Sequence, residues 1–155
     1  MEVTVEQATA PTAEVRALVE ELEAELSAEY PPEQRHGLRL EAIFVPEVRF
    51  FVARAGGEPL GCGGVALYDG FAELKRMYAR PAGRGKGIAQ ALLAQLEEVA
   101  RASGRRRLCL ETGTRQQAAI AFYRRAGFTP CGAFGEYAKL PAANVAASLF
   151  FEKPL

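Results

Sequence analysis

Residues 80–89 read Arg-Pro-Ala-Gly-Arg-Gly-Lys-Gly-Ile-Ala, a glycine-rich stretch set between a strand pattern and a long helix pattern. It constrains the fold more than any other part of the chain. Phe71 to Ala79 reads as a strand stopped by Pro81. Ile88, Leu92, Leu93, Leu96, Val99 and Ala100 then form one apolar stripe at helical spacing, and Gly104 stands where a C′ glycine belongs. Arg107 to Thr112 reads as the next strand. A strand, a helix and a strand in that order demand a parallel, right-handed crossover. The chain must therefore build an α/β sheet with glycines at the head of the crossover helix.

The remaining elements fit around that unit. Val3 to Ala8 alternates as a first strand, and Thr9 to Thr12 supplies capping chemistry for a helix carrying Val15, Leu18, Val19, Leu22 and Leu26. The acidic residues Glu20, Glu21, Glu23 and Glu25 read as its solvated face. Tyr30-Pro31-Pro32 breaks this helix, and residues 33–44 read as a second short one, weakened by Gly37. Val48 to Ala55 and Leu60 to Leu67 form a hairpin through Gly56-Gly57-Glu58-Pro59, and Asp69-Gly70 turns into the strand at Phe71. Gln116 to Ala126 is a helix closed by Gly127, followed by strands at Phe128 to Gly132 and Ser148 to Lys153. Residues 133–147 carry no periodicity, and unpatterned loops of that length are often functional. The expected order is β-α-α-β-β-β-α-β-α-β-β, a mixed sheet in a single domain over residues 1–155.

Composition excludes several classes. Lys plus Arg and Asp plus Glu each number 19, so the formal net charge is zero and nothing draws the chain globally to nucleic acid or an anionic membrane. With 49% hydrophobic and 25% charged residues it is not a disordered chain. No apolar run reaches transmembrane length, and the amino terminus lacks the basic start and apolar core of a secretory signal. Cys62, Cys109 and Cys131 are widely spaced and only one histidine accompanies them, which argues against a zinc cage and for a reducing, cytoplasmic setting. The cysteines are expected as small apolar filler.

Backbone N–H groups at a helix start have no partners within the helix, and the helix dipole adds partial positive charge. Glycines let a phosphate approach those groups, and Arg84 and Lys86 add full charges. Two phosphate motifs fail here. Gly87 stands where a Walker loop needs Ser or Thr, and Ile88 or Gln90 stands where a dinucleotide fingerprint needs its last Gly or Ala.

Arg84-x-x-Gly87-x-Ala89 instead resembles the Arg/Gln-x-x-Gly-x-Gly/Ala signature of the Gcn5-related N-acetyltransferases, the GNAT superfamily. Glu73 to Ala79 looks like that family's fourth strand, and Gln116 to Tyr123 with Gly127-Phe128 resembles its second motif. The string Leu110 to Thr114, with Phe134 to Tyr137 and the Phe150 to Lys153 ending, resembles a group of small bacterial members. The resemblance implies the acyl-CoA N-acyltransferase fold, a mixed and mostly antiparallel sheet of about six or seven strands with about four helices, strands four and five splayed apart. It implies acetyl-CoA as co-substrate and no metal. The pantetheine arm would pair with backbone groups of Met77, Tyr78 and Ala79 as an added strand. The N–H groups of Arg84, Gly85, Lys86, Gly87, Ile88 and Ala89 would hold the pyrophosphate. Gln116 replaces the family's usual Asn, and Ala119 and Phe122 would line the thioester end. Arg105 to Arg107 read as a solvated cluster, with the 3′-phosphate as the other reading.

Amine acetylation requires an ammonium to lose a proton, an oxyanion to be stabilised and a thiolate to be protonated. By resemblance Tyr123 would be the acid, Glu73 the base through water, and the Met77 N–H the oxyanion donor. Glu73 has a second reading, as a residue that only orients substrate. His36 is expected to face solvent, and Cys62 and Cys109 lack a histidine to activate them as nucleophiles. The acceptor pocket would draw on residues 27–44, Glu111, Thr112 and the loop 133–147, with Glu111 toward a cationic amine and Arg39 or Arg49 toward a carboxylate. A small amine or amino acid is the first expectation for the acceptor, and a protein amine the second. The rival classes are a regulatory acetyl-CoA-binding module of the same fold and a nucleotide-binding protein. Homodimers are common in this fold, and no residue here demonstrates one.

Overall fold

The computed structural model describes residues 2–155. The elements are β1 (Val3–Ala8), α1 (Ala13–Glu29), α2 (Leu40–Ile43), β2 (Val48–Ala55), β3 (Glu58–Tyr68), β4 (Phe71–Ala79), α3 (Ile88–Ala102), β5 (Arg107–Gly113), α4 (Gln117–Arg125), β6 (Thr129–Cys131), α5 (Ala142–Val145) and β7 (Ser148–Pro154). One seven-stranded sheet takes the order β1-β2-β3-β4-β5-β7-β6. Every neighbouring pair is antiparallel except β4 and β5, which the crossover through α3 makes parallel. The strand order, with its single parallel pair at β4 and β5, matches the architecture that the motifs imply.

Local chemistry sets the boundaries. Thr12 caps α1 by accepting the Val15 N–H at 3.3 Å. Gly56 and Gly57 both take positive φ, +60° and +82°, as the tight β2–β3 hairpin requires. The two sheet faces alternate as strand geometry dictates. Phe51 and Ala53 with Leu108 and Leu110 face α3 and α4, whereas Phe50, Val52 and Cys62 face α1 and α2. On α3, Ile88, Leu92, Leu93, Leu96 and Ala100 are all buried, and each large side chain fully buried contributes roughly 1.5–3 kcal/mol. Cys62 and Cys109 are completely buried and Cys131 half-buried, so the first two are core filler as expected. Among the described residues no helix is long and apolar enough to cross a membrane.

Three expectations need correction. Residues 33–44 do not form one helix: a 3₁₀ turn at Pro32–Gln34 and the four-residue α2 flank an extended segment. Gly37 lies in that segment because the Arg76 guanidinium packs where its Cβ would stand. The loop 133–147 is not structureless but holds a 3₁₀ turn at Gly135–Lys139 and α5. The acidic face of α1 is only partly solvated. Glu21 takes Arg80 through two hydrogen bonds of 2.9 and 2.7 Å, and Glu23 takes Arg35 and Arg76.

Candidate active site

The β4–β5 pairing stops almost as soon as it starts. Only Ala72 with Leu108 and Glu73 with Cys109 are in register, so the β4 edge from Leu74 to Ala79 has no strand beside it. On its other edge β4 carries a β-bulge, where Arg76 and Met77 stand opposite the single residue Gly63. The bulge puts Arg76 at φ +54°, a left-handed conformation uncommon outside glycine.

At the carboxyl end of β4 the chain enters the glycine-rich turn. Gly85 and Gly87 take φ of +78° and +80°, and each would point a Cβ into open space. The N–H groups of Arg84 and Lys86 close the turn on the Pro81 and Gly83 carbonyls, so they are not free as the sequence suggested. Those of Gly85, Gly87, Ile88, Ala89 and Gln90 have no acceptor among the described residues, the first helical bond being Ala91 to Gly87 at 3.0 Å. Five converging donors at a helix start suit an anionic diphosphate. Arg105 and Arg107 lie at the opposite end of the sheet, bonded to the Tyr68 carbonyl and to Glu152, which removes the 3′-phosphate reading.

The splayed strands open onto a cavity of about 130 Å³. Glu73, Lys75, Arg76 and Met77 of β4, Glu111 and Thr112 of β5, Gln116, Ala119 and Tyr123 around α4, Leu22 and Leu26 of α1, and the loop residues Arg35, His36 and Tyr137 line it. Among the expected site residues, Glu73, Met77, Gln116, Ala119 and Tyr123 thus converge. Tyr78 and Phe122 stand off the cavity wall: Tyr78 donates to Glu21 at 3.2 Å, and Phe122 packs on the core.

Glu73 is buried in the floor. Its Oε2 accepts from the Tyr137 hydroxyl at 2.6 Å and lies 2.9 Å from Lys75 Nζ, and Lys75 donates to the same hydroxyl at 3.0 Å. This closed triangle fixes the carboxylate. Glu111 accepts from Ser148 at 2.7 Å, and burial, with some help from Glu73, raises its carboxyl above the usual range. Tyr123 is held edge-on between Phe122 and Phe128 at 5.4 and 5.6 Å between ring centroids. Its hydroxyl makes no hydrogen bond among the described residues, and burial pushes its ionisation well above the usual phenol range. The phenol therefore keeps its proton across the whole working pH span.

His36 does not face solvent. It is half-buried, with Nε2 2.7 Å from the Asn144 carbonyl and its ring edge-on to Tyr137. Arg39 and Arg49 lie outside the cavity, and Arg35 and Arg76 occupy its wall instead. Arg35 falls in the 27–44 segment expected to line the pocket, whereas Lys75 and Arg76 were not singled out, and nothing in a strand pattern marks the bulge that turns Arg76. Tyr137 sits in the loop already marked by its length.

The acetyltransferase (GNAT) family profile matches residues 15–128. The chain is similar to the IAA acetyltransferase of Azospirillum brasilense, with 44% identity covering 89% of this chain and 88% of the relative. A solved Klebsiella pneumoniae protein, provisionally described as an acyl-CoA N-acyltransferase, superposes with a TM-score of 0.77 at 35% identity, covering 99% and 97% of the two chains. The PaiA N-acetyltransferase of Thermoplasma acidophilum, solved with coenzyme A, shares the fold at a TM-score of 0.72 and 17% identity, covering 100% of both chains. The protein is an acyltransferase by fold and kinship. It belongs to the acetyltransferase (GNAT) family.

Proposed function

We propose that the chain moves an acetyl group from acetyl-CoA to a primary amine by direct attack in a ternary complex, with a small molecule or amino acid as acceptor. One observation carries the reading. The unpaired β4 edge runs without interruption from the five free N–H groups at α3 to the cavity holding Tyr123 and Glu73. An extended thioester arm needs that path, with donors for a diphosphate at one end and room for an amine at the other. The 44%-identical relative named an acetyltransferase supports acetyl as the group carried.

The chemistry is that of a thioester: a C–N bond forms to its carbonyl carbon, the C–S bond breaks and thiol departs. The residues of this chain supply the rest. Gly85, Gly87, Ile88, Ala89 and Gln90 bind the diphosphate, aided by the Arg84 and Lys86 side chains. The backbone of Met77, Tyr78 and Ala79 orients the arm, and the Met77 N–H faces the developing oxyanion. Gln116 and Ala119 border the arm's reactive end. Glu73, fixed by Lys75 and Tyr137, takes the amine proton through water, and Tyr123 gives its proton to the leaving sulfur. Confinement of both reactants in one cleft supplies much of the acceleration.

An amine-panel screen that reads free CoA thiol tests this directly. Thiol release that depends on both acetyl-CoA and an amine is the expected result. Tight CoA binding with no release for any free or peptidyl amine would leave a binding module in place of an enzyme.

A further inference from the structure

The cavity wall carries an unbalanced set of charges. Lys75 is paired with Glu73. Arg35 and Arg76 share one carboxylate, Glu23, at 3.1 and 2.5 Å, which leaves one positive charge over. Glu111 has the Ser148 hydroxyl and no cation bonded to it among the described residues, which leaves one negative charge over. His36 and Lys75 approach Glu111 without pairing with it.

The arginine side carries a sharper sign. Arg76 is only 5% exposed, with Nε bonded to the Leu38 carbonyl at 2.8 Å and Nη2 to Glu23. Its Nη1 has no partner, and neither has Nε of Arg35, although both atoms are buried. Buried guanidinium N–H groups are almost always satisfied, so two orphans on neighbouring side chains call for an explanation. Gly37 leaves the space that lets the Arg76 head lie there, at the cost of a left-handed backbone on β4. The fold thus holds a strained residue and two unmet donors on side chains that line the same cavity as an unpaired carboxylate.

We propose that the acceptor is an aminocarboxylate, its carboxylate received by Arg35 and Arg76 and its amine placed beside Glu111. The inference rests on the acetyltransfer reading above and names the acceptor's class. A carboxylate offers lone pairs to both orphaned donors at once, as paired guanidinium contacts favour. It also cancels the surplus positive charge, while the ammonium cancels that at Glu111. A neutral ester or amide does the second and not the first. An aminophosphonate carries a second negative charge that this wall does not balance. The carboxylate takes no part in the bond changes and only fixes where the amine sits.

The test compares amino acids with their methyl esters and their decarboxylated amines in the thiol-release assay, with aminomethylphosphonate as a further arm. In parallel, thermal stabilisation by each amino acid is measured in the presence of CoA. At least one amino acid is expected to exceed its ester in kcat/KM by about tenfold to a hundredfold, the worth of one hydrogen bond to a charged group. Arg35→Gln is expected to reduce that acid-to-ester ratio by a similar factor, mainly through KM, and Arg35→Lys to recover part of it. Arg35 stands on a loop, so its variants test the idea without disturbing the strained Arg76 backbone.

Esters and simple amines acetylated as well as the acids would overturn the carboxylate receptor and leave the acetyltransfer reading intact. Amino acids that stabilise the protein, with loss of the effect in Arg35→Gln but no thiol release, would sink the enzyme reading and keep the receptor. Preference for the phosphonate, or no stabilisation and no turnover by any amino acid, would refute the proposal.

Discussion

Gly87 tests the diphosphate site most sharply. Its φ of +80° suits glycine, and a Cβ there would project into open space rather than into the protein. Alanine pays only the left-handed backbone penalty, roughly 1–2 kcal/mol, which lowers the melting temperature by about 2–8 °C for a chain of this size. That penalty falls on the free and bound states alike, so CoA affinity should drop less than about tenfold. Glutamate adds a negative charge where the five free N–H groups and the α3 dipole present partial positive charge. A carboxylate about 5 Å from a phosphate at an effective dielectric of about 20–80 costs roughly 1–3 kcal/mol, or about fivefold to a hundredfold in affinity. Isothermal titration of CoA into wild type, Gly87→Ala and Gly87→Glu separates the two contributions. The glutamate excess should shrink as salt rises, because the site is open to solvent. Wild-type CoA affinity in Gly87→Glu at low ionic strength would show that the diphosphate binds elsewhere.

Three further outcomes follow from the geometry. Tyr123→Phe removes a hydroxyl with no protein partner, so stability should change by less than about 1 kcal/mol while kcat falls about a hundredfold or more across pH, as stopped thiol-release assays would read. Burial pushes the Cys62 and Cys109 thiols up to about 12, so a thiol reagent at pH 8 should label only Cys131 in the native protein, as mass spectrometry would count. The Arg80 hydrogen bonds hold the Glu21 carboxyl below its usual range, so the pair's contribution is complete above the unfolded carboxyl pKa and is lost as pH falls through the folded one. Glu21→Gln should therefore lower stability at neutral pH and flatten the acid limb of a denaturation series.

Periodic residues made much of this molecule readable. The stripe from Ile88 to Ala100 reports a face that must be buried, and the apolar runs of β2 and β3 on either side of the Gly56-Gly57 turn report strands covered on both faces. The glycine turn was readable because a helix start needs donors' partners and glycine grants access. What escaped depends on contacts far apart in sequence. His36 is half-buried because the segment 34–36 meets the segment 143–147, more than a hundred positions later. Gly37 looked like a flaw in a helix and is instead the space for Arg76. Glu21 and Glu23 looked like surface charge because their partners lie on other elements. No local pattern announces the bulge that turns Arg76, since a bulge is defined by the partner strand.

The meeting of those two segments has a kinetic consequence. Gln34 donates to the Ala143 carbonyl and accepts from the Ala147 N–H, His36 reaches the Asn144 carbonyl, and Asn144 donates back to Glu33. These ties sit at the rim, where water replaces each lost bond at a net cost of only about 0.5–1.5 kcal/mol. They can be undone without loosening either large apolar cluster, because none of their members belongs to one. The molecule thus joins two distant segments by ties that are cheap to break, mounted on a frame that is not, so these ties should open and close far more often than the sheet beneath them.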